Sequence, residues 1–394
     1  MLSGQAHSPK RRRPMFVVSA TAAALTTAVA AALAAAVPAA VAASAPGWRV
    51  AAVFGPRTGV TYVNGFVATS RTDAWSTLTD CGPCSGPNQA QAQWIEHWTG
   101  RRWQKMAGPK LSRYAGGFLA ASSARDAWLF RGPGQRHALR WNGRSWALTT
   151  IPTWVVRNGG RSGIVRAITA DFSRSNLWVF SFGSGKTPFA ARYHDGRWRK
   201  AILPAFPGEI SAVAPDDIWA TGHRLSNSSS VLMHWNGRSW RMLAIPAPTN
   251  VPPNATEDTG NLMASGPANV WLERNIQIGS QGARTLYLMH WDGKRWTRVH
   301  FGFPTSFADY IARDGHGGIW IVANGPAPHY QWYFEHFNGG HWSRQRPPAT
   351  ATTTFQQITA LSWIPGTRSL WAAGGLLPLH STTAVLGALF RYRS

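Results

Sequence analysis

A basic side chain recurs at one position of a repeated sequence motif, where it could bind a metal ion or hold two turns together. Histidine occupies this position in some copies and arginine in others. Imidazole is a common metal ligand, but an arginine cannot replace it. We therefore expect no metal site, and instead a charge-assisted hydrogen bond to an Asp or Asn of a neighbouring turn. The basic residues are His97, Arg140, Arg192, His234, His290, His336 and Arg391, and the expected acceptors are Asp73, Asp126, Asn176, Asp217 and Asn269.

Carboxylates are scarce, which limits the acid and base pairs that an enzyme could use. The chain has 16 Asp and Glu among 394 residues. Those in repeated turns or strands are expected to be structural, and neither a phosphate-binding glycine loop nor a Ser/His/Asp signature is present. We expect no cofactor, and catalysis is the less favoured function. The remaining carboxylates are Asp80, Asp171, Glu209, Glu257, Asp258, Glu273 and Asp309.

The sequence Cys81-Gly82-Pro83-Cys84 contains both cysteines of the chain. A CGPC sequence is typical of thioredoxin-like redox centres, in which the first cysteine begins a helix after a strand. No helical pattern follows here, and two cysteines cannot supply four zinc ligands. A small disulfide between Cys81 and Cys84 is the favoured prediction, with redox chemistry as the alternative.

The repeated basic residue lies in a hairpin motif. Its clearest copy is Val231 to Pro246, VLMHWNGRSWRMLAIP, in which two apolar runs flank Asn236-Gly237. An Asn-Gly pair supplies the positive φ angles of a short hairpin turn, and the flanking residues alternate as they do in strands. Close variants run from Gln93 to Met106, Ala138 to Pro152, Ala191 to Pro204, Leu288 to Val299 and Phe334 to Pro347.

A second, fainter hairpin lies between these copies and is marked by a Trp after a polar turn. Two hairpins in each unit give four strands, and seven units predict an all-β, seven-bladed β-propeller. The seventh unit lacks its fourth strand, and Gly47 to Val53 matches the missing strand. We therefore expect this N-terminal strand to close the ring. The marking residues are Trp75, Trp128, Trp178, Trp219, Trp271, Trp320 and Trp371, spaced 41 to 53 residues apart.

The repeat resembles kelch-type propellers, including the propeller of galactose oxidase. The shared features are a glycine after the second strand, at Gly222, Gly325 and Gly374-Gly375, an aromatic residue in the third strand, and a Trp five residues later. The resemblance covers nearly the whole chain after residue 43 and implies the propeller fold. The turns between the third and fourth strands also resemble the Asp-box hairpins of sialidase propellers. The copper site of galactose oxidase does not carry over, because Cys81 and Cys84 lie in the wrong context.

The first 43 residues have the pattern of a targeting segment. A basic cluster at Lys10 to Arg13 precedes an uncharged run from Met15 to Val37, and small residues follow at Ala40 to Ala42. This pattern predicts a signal peptide cleaved near Ala43, and therefore a secreted, extracellular propeller over residues 44–394. An uncleaved N-terminal membrane anchor with the propeller outside is the alternative, because the apolar run is long enough to span a bilayer.

The net charge is +24. One interpretation is an anionic partner, and the other is a composition bias, because Ala, Gly, Pro and Arg are all abundant. The basic residues are spread over every repeat instead of forming a run in the sequence. We therefore expect at most a weak, salt-sensitive association, and nucleic acid is not favoured as a partner.

Binding residues are expected on the long loops of one rim, opposite the tight turns. These loops include Pro246 to Gly260, Arg274 to Arg284 and Gly325 to Gln331. The leading hypothesis is an exported, monomeric binding or scaffold propeller that holds a glycan, an anionic envelope polymer or a protein there. The alternative is a carbohydrate-active enzyme, a glycoside hydrolase or lyase, with Glu257 and Glu273 near the channel mouth. The candidate binding residues are Trp154, Arg157, Arg161, His223, Arg224, Glu257, Asp258, Glu273, Arg274, His329, Tyr330 and Trp332.

Overall fold

The chain folds into a seven-bladed β-propeller, as the repeat predicts. The computed structural model describes residues 46–55, 59–81, 92–108, 118–130, 137–157, 164–169, 176–181, 187–224, 226–227, 229–246, 255–278, 284–326, 330–381 and 384–394. In this part of the chain, 28 strands form seven four-stranded antiparallel sheets. The first strand of each sheet contacts the first strand of the next, and the seventh sheet returns to the first. The sheets therefore form a closed ring around a central channel.

Within a blade, the strands follow chain order from the channel outward, and only β1 (Gly47–Phe54) joins a distant blade. Blade 1 contains β2 (Thr61–Ser70), β3 (Asp73–Asp80), β4 (Ala92–Trp98) and β5 (Trp103–Lys105), and blade 2 contains β6 (Phe118–Ser123), β7 (Asp126–Phe130), β8 (His137–Trp141) and β9 (Trp146–Thr150). After helix α1 (Thr153–Arg157), blade 3 contains β10 (Ile164–Thr169), β11 (Asn176–Ser181), β12 (Phe189–His194) and β13 (Arg197–Ile202). Blade 4 contains β14 (Phe206–Ala214), β15 (Asp217–His223), β16 (Ser230–Trp235) and β17 (Trp240–Leu243), and blade 5 contains β18 (Ala255–Gly266), β19 (Asn269–Ile278), β20 (Arg284–Trp291) and β21 (Trp296–Val299). Blade 6 contains β22 (Phe307–Arg313), β23 (Ile319–Asn324), β24 (Trp332–Asn338) and β25 (His341–Gln345), and blade 7 contains β26 (Thr353–Trp363), β27 (Leu370–Pro378), β28 (Leu386–Arg393) and β1.

The N-terminal strand closes the ring, which confirms the prediction for Gly47 to Val53. Strand β1 pairs antiparallel with β28, from Gly47 opposite Arg393 to Phe54 opposite Gly387. The pairing covers the outer edge of blade 7, so that blade 7 has four strands like the others. Pairing of the N-terminal strand with the C-terminal strand removes a free sheet edge and connects the first blade to the last.

A tryptophan in the second strand of each blade packs against the next blade. All seven marking tryptophans are buried. The ring of Trp75 lies 5.8 Å from that of Trp146 in blade 2. At the closing seam, Trp371 of blade 7 lies 5.5 Å from both Trp98 and Trp103 of blade 1. These aromatic contacts continue around the ring, and each buries a large apolar area.

The tight turns between third and fourth strands are of two kinds. The Asp195-Gly196 turn has two residues, and both have positive φ angles, 49° and 76°. The turn of the Val231 to Pro246 hairpin has four residues, 236–239, and only Gly237 has a positive φ, 88°. Asn236 acts through its side chain, because its Oδ1 accepts the backbone N–H groups at positions 238 and 239. The expectation of a positive φ at Asn236 itself is wrong.

The strand order gives the ring two different rims. Both hairpins of a blade begin at the same end of the sheet, so the turns between the first and second strands and between the third and fourth strands share one rim. We call this the short-turn rim; it includes residues 71–72, 99–102, 236–239 and 364–369. The opposite rim, where the second strand connects to the third and the fourth to the next blade, is the long-loop rim.

Part of the long-loop rim in blade 5 is strand where loops were expected. The expected loops Pro246 to Gly260 and Arg274 to Arg284 overlap β18 and β19, which pair from Ala255 opposite Ile278 onward. The alternating apolar and polar residues of Asn275 to Ile278 extend the strand pattern, so the pairing continues to Ile278. The long loops of this blade are therefore shorter than predicted.

Contacts divide the chain into two units, Met1–Ser44 and Ala45–Ser394, and the propeller is the second. The expected signal peptide or anchor, residues 1–43, lies outside the described residues. No helix in the described part of the chain has the length and apolar character needed to cross a membrane.

Candidate ligand-binding groove

The repeated basic residue ties the two hairpins together in five blades, and in four of them the acceptor is the predicted one; Asp314 was not among the predicted acceptors. These side chains also cover the marking tryptophans, since His97 stacks on Trp75 with ring centroids 3.9 Å apart. Among the described residues, no group of three His, Cys, Asp or Glu side chains is placed to hold a metal ion. The pairs are His97 with Asp73 at 2.5 Å, Arg140 with Asp126 at 3.1 Å, His234 with Asp217 at 2.8 Å, His290 with Asn269 at 2.9 Å, and His336 with Asp314 at 2.9 Å.

Cys81 directly follows β3 and is buried, unlike a residue of an exposed polar loop. It packs with Val60 and Val385, beside the seam between the first and last blades. Its backbone N–H donates to the carbonyl of Val60 at 2.8 Å. Cys84 lies outside the described residues, so the disulfide between Cys81 and Cys84 stays a prediction.

Four predicted residues meet on the long-loop rim between blades 4 and 5. Arg274, which is 2% exposed, forms an ion pair with Glu257 across β18 and β19. His223 Nε2 of blade 4 lies 3.8 Å from Asp258 Oδ1 of blade 5. Burial lowers the pKa of Arg274. A guanidinium this deeply buried needs a counter-charge, and Glu257 supplies it. The cluster joins two strands and two blades, and the neighbouring Arg224 is exposed beside it.

Glu273 is not presented at the channel mouth. It is 3% exposed, and Asn261 Nδ2 donates to its Oε2 at 2.5 Å. Neighbouring residues of a strand point to opposite faces, so Glu273 faces blade 6, whereas Arg274 faces blade 4 with its partner Glu257. Asn261 Nδ2 also donates to the carbonyl of Ala308 in blade 6, which supports this orientation. Glu273 and Glu257 therefore lie on opposite faces of blade 5 and do not form an acid and base pair.

An aromatic groove of about 580 Å³ opens on the long-loop rim between blades 6 and 7. This volume lies within the ordinary range of small-ligand sites. The groove contains two of the predicted residues, Tyr330 and Trp332, and adds residues from the start of blade 7. Its lining residues are Tyr330, Gln331, Trp332, Arg346, Pro347, Thr354, Phe355 and Gln356.

Tyr330 stands at the edge of the groove in an unusual backbone conformation. Its φ is 39°, and its side chain is 49% exposed. The loop that carries it is closed by the N–H of Gly325, which donates to the carbonyl of Gln331 at 2.8 Å. The hydroxyl of Tyr333 donates to the side-chain oxygen of Gln331, also at 2.8 Å. A bulky residue rarely adopts positive φ, and such strain is typical of positions that hold a functional side chain.

The groove combines flat apolar surfaces with a few polar groups. Trp332 and Phe355 are half-buried, and Arg346 is exposed. The Oε1 atom of Gln356 is buried and has no hydrogen-bond partner among the described residues. A buried acceptor without a partner is costly, so a ligand hydroxyl that donated to it would gain a favourable interaction. Aromatic faces, a cation and an amide are suited to a polyhydroxylated ligand.

The sequence pointed to only part of this groove. Arg346 follows β25 in blade 6, and Phe355 and Gln356 lie in β26 of blade 7, so the groove forms only when two blades pack together. Phe355 carries a weak signal, because it is an aromatic residue outside the repeated tryptophan positions. Arg346 carries none, since it is one of many arginines.

The other predicted residues lie elsewhere. Trp154 is in α1, half-buried, and its ring lies 5.8 Å from that of Phe189, so it is part of the packing between blades 2 and 3. The backbone of Arg157 ends α1, but its side chain is outside the described residues. Arg161 and His329 also lie outside them, and their roles stay predictions.

The comparisons with known proteins bear on the fold. No family model and no curated protein matches the chain. A polysaccharide lyase, Uly1, is similar in structure with a TM-score of 0.57 at 9% identity, over 81% of this chain and 88% of that chain. YCF48 bound to a D1 peptide matches with a TM-score of 0.50 at 12% identity, over 89% of this chain and 98% of that chain. These likenesses show the propeller fold, whereas kelch-type family membership is not confirmed.

Proposed function

We propose that this protein is an exported propeller that binds glycans in the aromatic groove. The observation that carries the proposal is the placement of Tyr330, Trp332 and Arg346 around one space on the long-loop rim. Aromatic faces stack on the C–H faces of sugar rings, and a guanidinium and an amide bind hydroxyls and carboxylates. Arg346 is the one charged residue among the described lining residues, so the preferred ligands carry carboxylate or phosphate groups.

Export is part of this proposal. It is supported by the basic cluster, the apolar run and the small residues of positions 1–43. In this account the propeller, residues 44–394, acts outside the cell, either released or held by the uncleaved segment.

Binding is favoured over turnover because the groove lacks an acid and base pair. None of its described lining residues is a carboxylate. Glu257 is in an ion pair, and Glu273 is buried against Asn261. The fold does not decide the question, since a polysaccharide lyase and a peptide-bound propeller both share it.

A glycan array with residues 44–394 tests the proposal. This fragment contains every described strand and the closing pair β1 and β28. We expect saturable binding of acidic glycans in the array, followed by titration of the best ligand in solution. Incubation of that ligand with the protein, followed by product analysis, is the matched test for hydrolase or lyase activity. The absence of binding to any glycan would overturn the proposal, and released product would favour the enzyme instead.

A further inference from the structure

The short-turn rim carries an unbalanced ring of basic side chains. Among the described residues, eleven exposed Lys and Arg lie in or directly beside its turns, and the exposed carboxylates there are Asp195, Asp216 and Asp292. Such an excess of one sign creates a positive potential over most of the rim. The basic residues are Arg71, Arg101, Arg102, Arg125, Arg144, Arg197, Arg238, Lys294, Arg295, Arg368 and Arg393.

The ring follows from the repeat. A basic residue comes directly after the turn glycine in five hairpins, at Arg101, Arg144, Arg197, Arg238 and Lys294. These positions are far apart in the sequence, but the propeller places every such turn on the same rim. The described charges of the long-loop rim are mixed, with Arg224 and Arg346 there but also Asp258.

The short-turn rim has little apolar surface to insert into a partner. Of the exposed large apolar side chains that the structure describes, none lies in a turn of this rim. They lie instead on outer strands, as Leu148 and Met242 do, or towards the long-loop rim, as Phe118 and Tyr330 do. The rim is therefore suited to a superficial electrostatic contact that weakens with salt.

We propose that the short-turn rim docks on an anionic lipid surface. The charges lie on the turns of six of the seven blades and do not line one groove, so they match a flat surface better than a single polymer strand. The chain also enters the propeller here, because Gly47 begins β1 opposite Arg393. The proposal rests on residues outside the aromatic groove, and it leaves that groove facing away from the lipid.

Vesicle sedimentation with residues 44–394 tests the docking. We expect the protein to sediment with phosphatidylglycerol vesicles and not with phosphatidylcholine vesicles. Salt at about 0.5 M should release it, because salt screens the attraction between exposed charges. The test variant replaces Arg101, Arg144 and Arg238 with Gln. Because each basic residue near an anionic bilayer contributes about a factor of five, its affinity should fall on the order of 100-fold.

The matched control replaces Arg199, Lys200 and Arg241 with Gln, which removes the same charge from exposed outer strands. We expect this control to bind within a few-fold of the unmodified protein. Equal losses in both variants, or no binding to phosphatidylglycerol vesicles, would overturn the proposal. Tighter binding to polyglutamate than to phosphatidylglycerol vesicles, at equal concentrations of negative charge, would overturn the lipid proposal in favour of an anionic polymer. Glycan binding in the aromatic groove should be unchanged in both variants, so the two proposals fail separately.

Discussion

Trp48 lies flat on Phe334, with ring centroids 3.8 Å apart and ring planes inclined by 12°. Trp48 belongs to β1, which completes blade 7, and Phe334 belongs to β24 of blade 6. Trp48 also contacts Trp320 edge to face at 5.7 Å. The first strand of the chain therefore closes blade 7 and also fixes it to its neighbour.

Trp48→Ala should destabilise the whole ring and not only one edge. Removing this buried ring leaves a cavity between two blades, with an expected loss of about 3–5 kcal/mol in the free energy of unfolding. Chemical denaturation followed by tryptophan fluorescence measures the loss. Deletion of residues 48–53 should abolish the single cooperative transition, and an unchanged melting curve would contradict closure by β1. Val53→Ala, at an exposed position of the same strand, is the control.

Gly374→Ala should be destabilising for a reason specific to its strand. A Cβ at Gly374 would lie 2.1 Å from the carbonyl oxygen of Gln357 in the neighbouring strand, so the backbones must move apart. We expect a loss of about 1–3 kcal/mol, as is typical of overpacking. Gly266→Ala is the control, since a Cβ there meets nothing within 4 Å. Similar melting temperatures for the two variants would show that the close approach is unimportant.

Asp314 should make stability depend on pH in the acid range. Burial raises the pKa of Asp314, but the hydrogen bonds from His336 and from the backbone N–H groups of His316 and Gly318 outweigh it, and the pKa is lowered overall. A lowered folded-state pKa means that ionised Asp314 stabilises the fold above the unfolded value of about 3.9, and that this stability is lost as pH falls through the folded-state pKa.

The measurement is the free energy of unfolding of Asp314→Asn from pH 2 to 7. The difference from the unmodified protein should be largest above about pH 4 and should shrink as the solution becomes more acidic. Asp216→Asn removes an exposed charge on the same rim and is the control. A difference that stays constant over the whole range would show that Asp314 is not ionised in the folded protein.

Glu257 and Arg274 should behave as one structural unit. Glu257→Gln leaves the buried guanidinium without its counter-charge, and we expect a loss of about 3–5 kcal/mol. The double variant Glu257→Gln with Arg274→Met should recover most of that loss, because it removes the uncompensated charge as well. A double-mutant cycle measures the coupling. Additive losses would contradict the buried ion pair, and loss of glycan binding would show that this cluster is part of the binding site.

The sequence alone predicted the architecture because the same four-strand pattern recurs seven times. The marking tryptophans, the basic residues before the third-strand aromatics and the matching strand at Gly47 all follow from the period. Turn chemistry was harder: Asn236 directly follows the third-strand aromatic and caps a four-residue turn, whereas Asp195 comes one position later and forms a two-residue turn. Local residue types do not distinguish these, because strand pairing sets the turn length.

The binding site was less predictable because it lies between repeats. Tyr330 and Trp332 could be selected as aromatic residues outside the repeat pattern, but Arg346 and Phe355 reach the same groove from different elements. Glu257 and Arg274 looked like loop residues because local residue types do not show how far strand pairing continues, and β18 and β19 pair beyond both positions. The basic ring has the same origin: its members are scattered in the sequence and adjacent only in the closed propeller.

The most direct test of the proposed function is the affinity of the Tyr330→Ala and Trp332→Ala variants for the best glycan of the array, measured by titration calorimetry. Loss of an aromatic anchor should weaken binding on the order of tenfold or more, since such side chains dominate binding energies. Phe118→Ala removes an exposed aromatic from the long-loop end of blade 2 and should leave the affinity unchanged. Unchanged affinity in both groove variants, or an equal loss in Phe118→Ala, would contradict glycan binding in the aromatic groove.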